Sequence, residues 1–204
     1  MTRIQNLLLV QMKNKKLITT FAVLISLVGV FLLSLPTILH KSGLHPEYMG
    51  SSVNLPGKRA LVITTSHAVL SKPGETSGKP TGVFASEMTH PYYTFLDGGM
   101  EVDIASIQGG ELPIDPESFF FMVKTPEDKR YLNDPIAQAK VKNSIPIEAV
   151  DVNQYDIIFI SGGWGAAYDL AQSPALAIKV SESYYSDKKP IIGGVCHGVL
   201  GLVN

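Results

Sequence analysis

The stretch Pro190-Ile-Ile-Gly-Gly-Val-Cys196-His197-Gly198 decides the fold. A short β-branched run feeds through Gly-x-Cys-x-Gly into an apolar segment, the pattern of a strand that turns sharply into a helix with a nucleophile at its apex. The glycines two residues either side of Cys196 suit such an elbow, because backbones approach closely there and the apical residue is forced into a strained conformation. At a helix start, unsatisfied N–H groups would favour a thiolate. A small buried hydrophobe is the alternative for a free cysteine. Val199, Leu200, Leu202 and Val203 read as a helix just begun, so the C-terminal part of the domain is expected to be missing from this sequence.

Upstream lie three more strand-like runs, Arg59–Thr65, Glu101–Ser106 and Asp156–Ser161. Helical segments are expected at Gly82–Leu96, Asp134–Lys142 and Pro174–Ser186. Strand and helix alternate, and the strands are continuously apolar, which predicts an α/β domain with a doubly wound, mostly parallel sheet and helices on both faces. Ligands of such sheets bind beyond the carboxyl ends of the strands. Residues 107–133, with Phe119-Phe120-Phe121 and several prolines, read as an excursion covering the sheet edge or a pocket.

Ahead of this domain, Leu17–Leu39 runs for 23 residues without a charge, about 34 Å as a helix and enough to cross a bilayer. The run is longer than a signal-peptide core, which points to an uncleaved anchor. Arg3, Lys13, Lys15 and Lys16 precede it and Lys41 follows, so the N-terminus is expected in the cytoplasm and the domain outside it. The expected divisions are a basic segment 1–16, a transmembrane anchor 17–39, a Gly/Pro/Ser-rich linker 40–57 holding His40 and His45, and a domain 58–204.

Of 204 residues, 17% are charged and 45% apolar, which excludes disorder, collagen and coiled coil. Five of the 17 Lys/Arg and no acid fall in residues 1–41, leaving 12 bases against 18 acids. A net acidic body argues against nucleic acid as a partner. One cysteine allows neither an internal disulfide nor a Cys-based zinc cluster; no metal and no cofactor is expected.

His197, next to Cys196, is a candidate proton shuttle or thiolate partner, though adjacent residues face each other only if the turn is distorted. Glu87 is a single carboxylate in an apolar segment, where a raised pKa would suit proton sharing with a thiol; a helix-start charge ahead of Pro91 explains it equally well. His67 falls just past the first strand, as a pocket residue or a plain turn residue. Ser161-Gly-Gly-Trp-Gly165 follows the third strand and its amides could bind an anion or oxyanion. It lacks the third glycine of a dinucleotide fingerprint, and no Walker pattern is present.

These pieces in this order resemble the ThiJ/PfpI superfamily, which is flavodoxin-like and related to class I glutamine amidotransferases, and within it the heat-shock chaperone and glutathione-independent glyoxalase III branch. The resemblance rests on Ala60-Leu-Val-Ile-Thr-Thr-Ser66, Thr81-Gly-Val-Phe, Glu87-x-x-His-Pro-x-x-Thr-Phe95, Gly98-x-x-Val-Asp-x-x-Ser106 and Gly193-x-Val-Cys-His-Gly198. It implies Cys196, His197 and Glu87 as catalytic residues, with Gly163, Trp164, Gly165 and His90 on the oxyanion or substrate side. In relatives the loop often reads Gly-His-Gly; Trp164 stands here instead. The implied activity is conversion of methylglyoxal or another 2-oxoaldehyde to a 2-hydroxy acid through a cysteine hemithioacetal, without glutathione or metal. A stress-response holdase, a thiol redox sensor and an amidotransferase or peptidase are the competing readings. The expected partners are a small aldehyde, the membrane and a second copy of the chain.

Overall fold

The computed structural model describes residues 3–44 and 49–203; His45 and its neighbours in the expected linker lie outside them. The chain divides into two compact units, residues 1–49 and 50–204.

The first unit is helix α1 (Arg3–Leu39), extended by a single wide turn over His40–Leu44, so that the expected linker opens with helix. Met12–Gly43 is long and apolar enough to cross a membrane. Several of its hydroxyls bond along the helix itself. Thr19, Ser26 and Ser34 hydroxyls donate to the carbonyls of Lys15, Ala22 and Phe31 at 2.8–2.9 Å.

In the second unit, β1 (Arg59–Thr64), β4 (Glu101–Ser106), β5 (Ile145–Pro146), β6 (Ile157–Ile160) and β7 (Ile191–Gly194) form one parallel sheet of order β5-β4-β1-β6-β7. The four runs expected as strands are all present. Without the two-residue edge strand β5, the order is the 2-1-3-4 of flavodoxin-type sheets. An exposed antiparallel hairpin, β2 (Val69–Ser71) with β3 (Gly78–Pro80), was not foreseen.

Both faces of the sheet are covered, as the unbroken apolar strands require. Ala60 and Val62 of β1 pack with Met88, Tyr92 and Tyr93 of α2 (Ala85–Asp97) and Ala137 and Val141 of α4 (Pro135–Lys142). Leu61 and Ile63 point the other way, onto Ile147, Leu170 and Leu176 near α5 (Ala166–Asp169) and α6 (Pro174–Tyr185). Leu55 belongs to the first of these cores, and its amide donates to Gly98 O at 2.7 Å, so packed structure begins before Lys58.

The excursion 107–133 holds a 3-10 turn at Pro116–Phe119 and α3 (Pro126–Tyr131). Phe119 stacks on Tyr131 against the first core, whereas Phe120 and Phe121 are about half exposed. The chain leaves β1 to one side, for β4, and returns to the other as β6. That reversal opens a crevice between the carboxyl ends of β1 and β6, where ligands of such sheets sit.

Candidate active site

Cys196 follows β7 at the crevice and has φ +52°, in the left-handed region that costs a residue with a Cβ about 1–2 kcal/mol. The surrounding backbone enforces it. Val195 N donates to Ile160 O at 3.1 Å and Gly198 N to Val195 O at 2.8 Å, which pins the elbow to the end of β6. A Cβ on Gly198 would lie 2.2 Å from Ile160 O, so only glycine lets the two strands' ends approach this closely. Beyond the elbow, Cys196–Leu202 forms a seven-residue 3-10 helix in place of the expected α-helical start. The thiol is exposed.

The twist at Cys196 overcomes the usual divergence of adjacent side chains: Sγ lies 3.3 Å from Nδ1 of His197. Trp164, 52% exposed, leans on the same imidazole, with ring centroids 4.9 Å apart and planes inclined by 39°.

Glu87 comes from the first turn of α2. Pro91 sits inside this helix and has no N–H to give to the carbonyl four residues back, which is that of Glu87. Ser161 Oγ, at the end of β6, donates to that carbonyl instead, at 2.8 Å. The proline thus creates the vacancy by which the helix is tied to the elbow's neighbouring strand. The Glu87 carboxyl turns inward, and its Oε2 is sealed from solvent with no donor at good hydrogen-bond geometry. Burial pushes its pKa above the ordinary carboxylate range, opposed by hydrogen bonding from the Cys196 thiol and the Gly162 amide, the charge of His197 and the Gly163 amide.

The structure therefore brings together Cys196, His197, Glu87 and Trp164. The amides of the glycine loop meet partners within the protein. Gly165 N donates to Gly82 O at 3.1 Å and so braces the loop. Gly163, at φ +95°, packs its backbone against Phe84 N and turns its amide toward Glu87. His90, one turn past Glu87, lies with Nε2 2.9 Å from Glu127 Oε2, so that nitrogen is engaged with α3 and not with Cys196.

One network at the mouth escaped sequence reading. Asp169 accepts from Thr65 Oγ1 and from Ser66 N, both at 2.8 Å, and burial raises its pKa. His67 stacks on Tyr168 at 4.2 Å and points Nε2 at Val69 O, 2.6 Å away, while Tyr168 Oη donates to Ser71 O at 2.6 Å. These contacts fasten the β2–β3 hairpin to α5. The polar run Thr64-Thr65-Ser66 at a strand's end was the available signal. Among the described residues no three His, Cys, Asp or Glu side chains are grouped to hold a metal ion.

The chain is similar in sequence and fold to known proteins. Glyoxalase 3 of Candida albicans is 34% identical over 125 residues, 60% of this chain and 52% of that protein. Glutathione-independent glyoxalase HSP31 of Saccharomyces cerevisiae is 30% identical over 146 residues, 70% of this chain and 58% of its own. Among solved structures, the Rapid Encystment Protein 24 KDa of Francisella tularensis superimposes with a TM-score of 0.63 at 37% identity, over 72% of this chain and 62% of that one. Glyoxalase III of Candida albicans gives 0.60 at 29%, over 71% and 59%. The chain thus spans a little over half the length of the curated relatives it matches. A family model covers residues 80–204, from the end of the β2–β3 hairpin through the cysteine elbow, and by it the chain belongs to the DJ-1/PfpI family.

Proposed function

We propose that the domain is a glutathione-independent glyoxalase acting on methylglyoxal or a related 2-oxoaldehyde, held at a membrane by α1. The observation that carries the reading is one exposed thiol at a left-handed elbow with an imidazole 3.3 Å from its sulfur and a half-buried carboxyl beside it. Sequence similarity to named glyoxalases supports the same chemistry.

His197 takes the thiol proton and holds the sulfur as thiolate. Sγ adds to the aldehyde carbon, and the carbonyl electron pair moves to oxygen, which takes up a proton to give a hemithioacetal. Glu87, with an affinity for protons above that of a solvated carboxylate, removes the hydrogen of that carbon and returns a proton to the neighbouring one through an enediol. The product is a 2-hydroxy thioester. Water then cleaves the C–S bond, releasing the 2-hydroxy acid and restoring the thiol. Positive charge ahead of the apolar stretch supports an anchor with its N-terminus in the cytoplasm and the unit of residues 50–204 on the far side.

The full chain in detergent should consume methylglyoxal and release lactate, followed by proton NMR, and Cys196→Ala should lower the rate at least 1,000-fold. Equal turnover by the variant would sink the mechanism.

A further inference from the structure

The molecule places an exposed indole one ring away from the thiol. Trp164 lies against His197, whose Nδ1 is 3.3 Å from Sγ, so its ring flanks the space around any carbon bonded to that sulfur. Glu87 and the glycine loop close the inner side of that space. The backbone of Gly163 in turn abuts that of Phe84, a residue that lines an open groove of about 700 Å³ with Pro116, Glu117, Phe119, Phe120 and Val123. Phe120 is half exposed and packs edge-to-face on Phe121. A methyl substituent would leave most of the exposed indole in water, whereas a flat apolar group would cover it.

We infer that Trp164 is a specificity-determining residue that makes the site prefer an aryl or similarly bulky apolar substituent next to the electrophilic carbon. Resting on the glyoxalase reading, this names its substrate class as aryl-substituted 2-oxoaldehydes. The preference itself belongs to the thiol's surroundings and is measurable without turnover.

The test compares alkylation of Cys196 in the full chain by N-phenylmaleimide and by N-methylmaleimide, each rate divided by that of N-acetylcysteine in the same micelles. The phenyl reagent should be preferred about tenfold, equivalent to about 1.4 kcal/mol. Trp164→Ala should bring the ratio to within twofold of unity, and Trp164→Phe should keep most of it. A wild-type ratio near unity, or one that Trp164→Ala leaves unchanged, overturns the inference. In parallel, kcat/KM for phenylglyoxal relative to methylglyoxal should fall in Trp164→Ala by a similar factor. A maleimide preference without turnover of either aldehyde would leave the aromatic wall standing and remove the glyoxalase reading. Turnover of both aldehydes with no maleimide preference would do the reverse.

Discussion

Glu87 shows how one carboxyl couples chemistry to stability. Because burial raises its pKa in the folded chain, the native state binds a proton more tightly than the unfolded state does. Native stability therefore falls as pH rises from the ordinary carboxylate value, about 4.3, through the raised one. Above that window the fold carries the cost of a buried charge. Glu87→Gln removes the cost, so the variant should melt at a higher temperature than wild type at pH 7, with the difference shrinking below about pH 4.5. On the proposed mechanism the same variant should lose at least 100-fold in kcat, since it removes the proposed proton carrier. Thermal melts from pH 4 to 8 check the first expectation; a pH-independent difference would show that Glu87 titrates alike in the folded and unfolded chains. Cys196 is the opposite case, for its strain is plain in φ while the reactivity proposed for it rests on the imidazole it is twisted toward.

Between α2 and β6, the link is Ser161 Oγ to Glu87 O, made possible by Pro91. Ser161→Ala strands that carbonyl and should cost about 1–2 kcal/mol in urea denaturation. Adding Pro91→Ala restores an amide donor four residues on, so the double variant should recover most of the loss. Additive losses would mean that the proline and the serine act independently. Elements with strong local signals were readable: the β-branched strands, and α4, whose first turn is capped by Asp134 accepting from Ile136 N and Ala137 N. The start of α3 was also written in Thr125-Pro126-Glu127-Asp128, a capping box in which Thr125 and Asp128 satisfy each other's amides, but the prolines and phenylalanines around it masked the helix. Strands β5 and β2–β3, only two or three residues long, have too little pattern to be seen at all.

Over the whole chain, an apolar helix and an acidic α/β unit obey different solvents. The full chain should sediment with membranes and resist carbonate extraction, and a variant lacking residues 1–49 should move to the soluble fraction; a full chain already soluble would refute the anchor. Periodicity and glycine spacing by themselves determined the parallel sheet, its two covered faces and the elbow at Cys196, because these are set by which residues must be buried and where a Cβ does not fit. Tertiary structure alone decided that Glu87 faces the sulfur, that Gly165 braces a loop, that His90 turns to Glu127 and that Asp169 ties to Thr65. Each of those depends on the direction in which a helix crosses the sheet, and contacts between residues up to about a hundred positions apart leave no trace in local pattern.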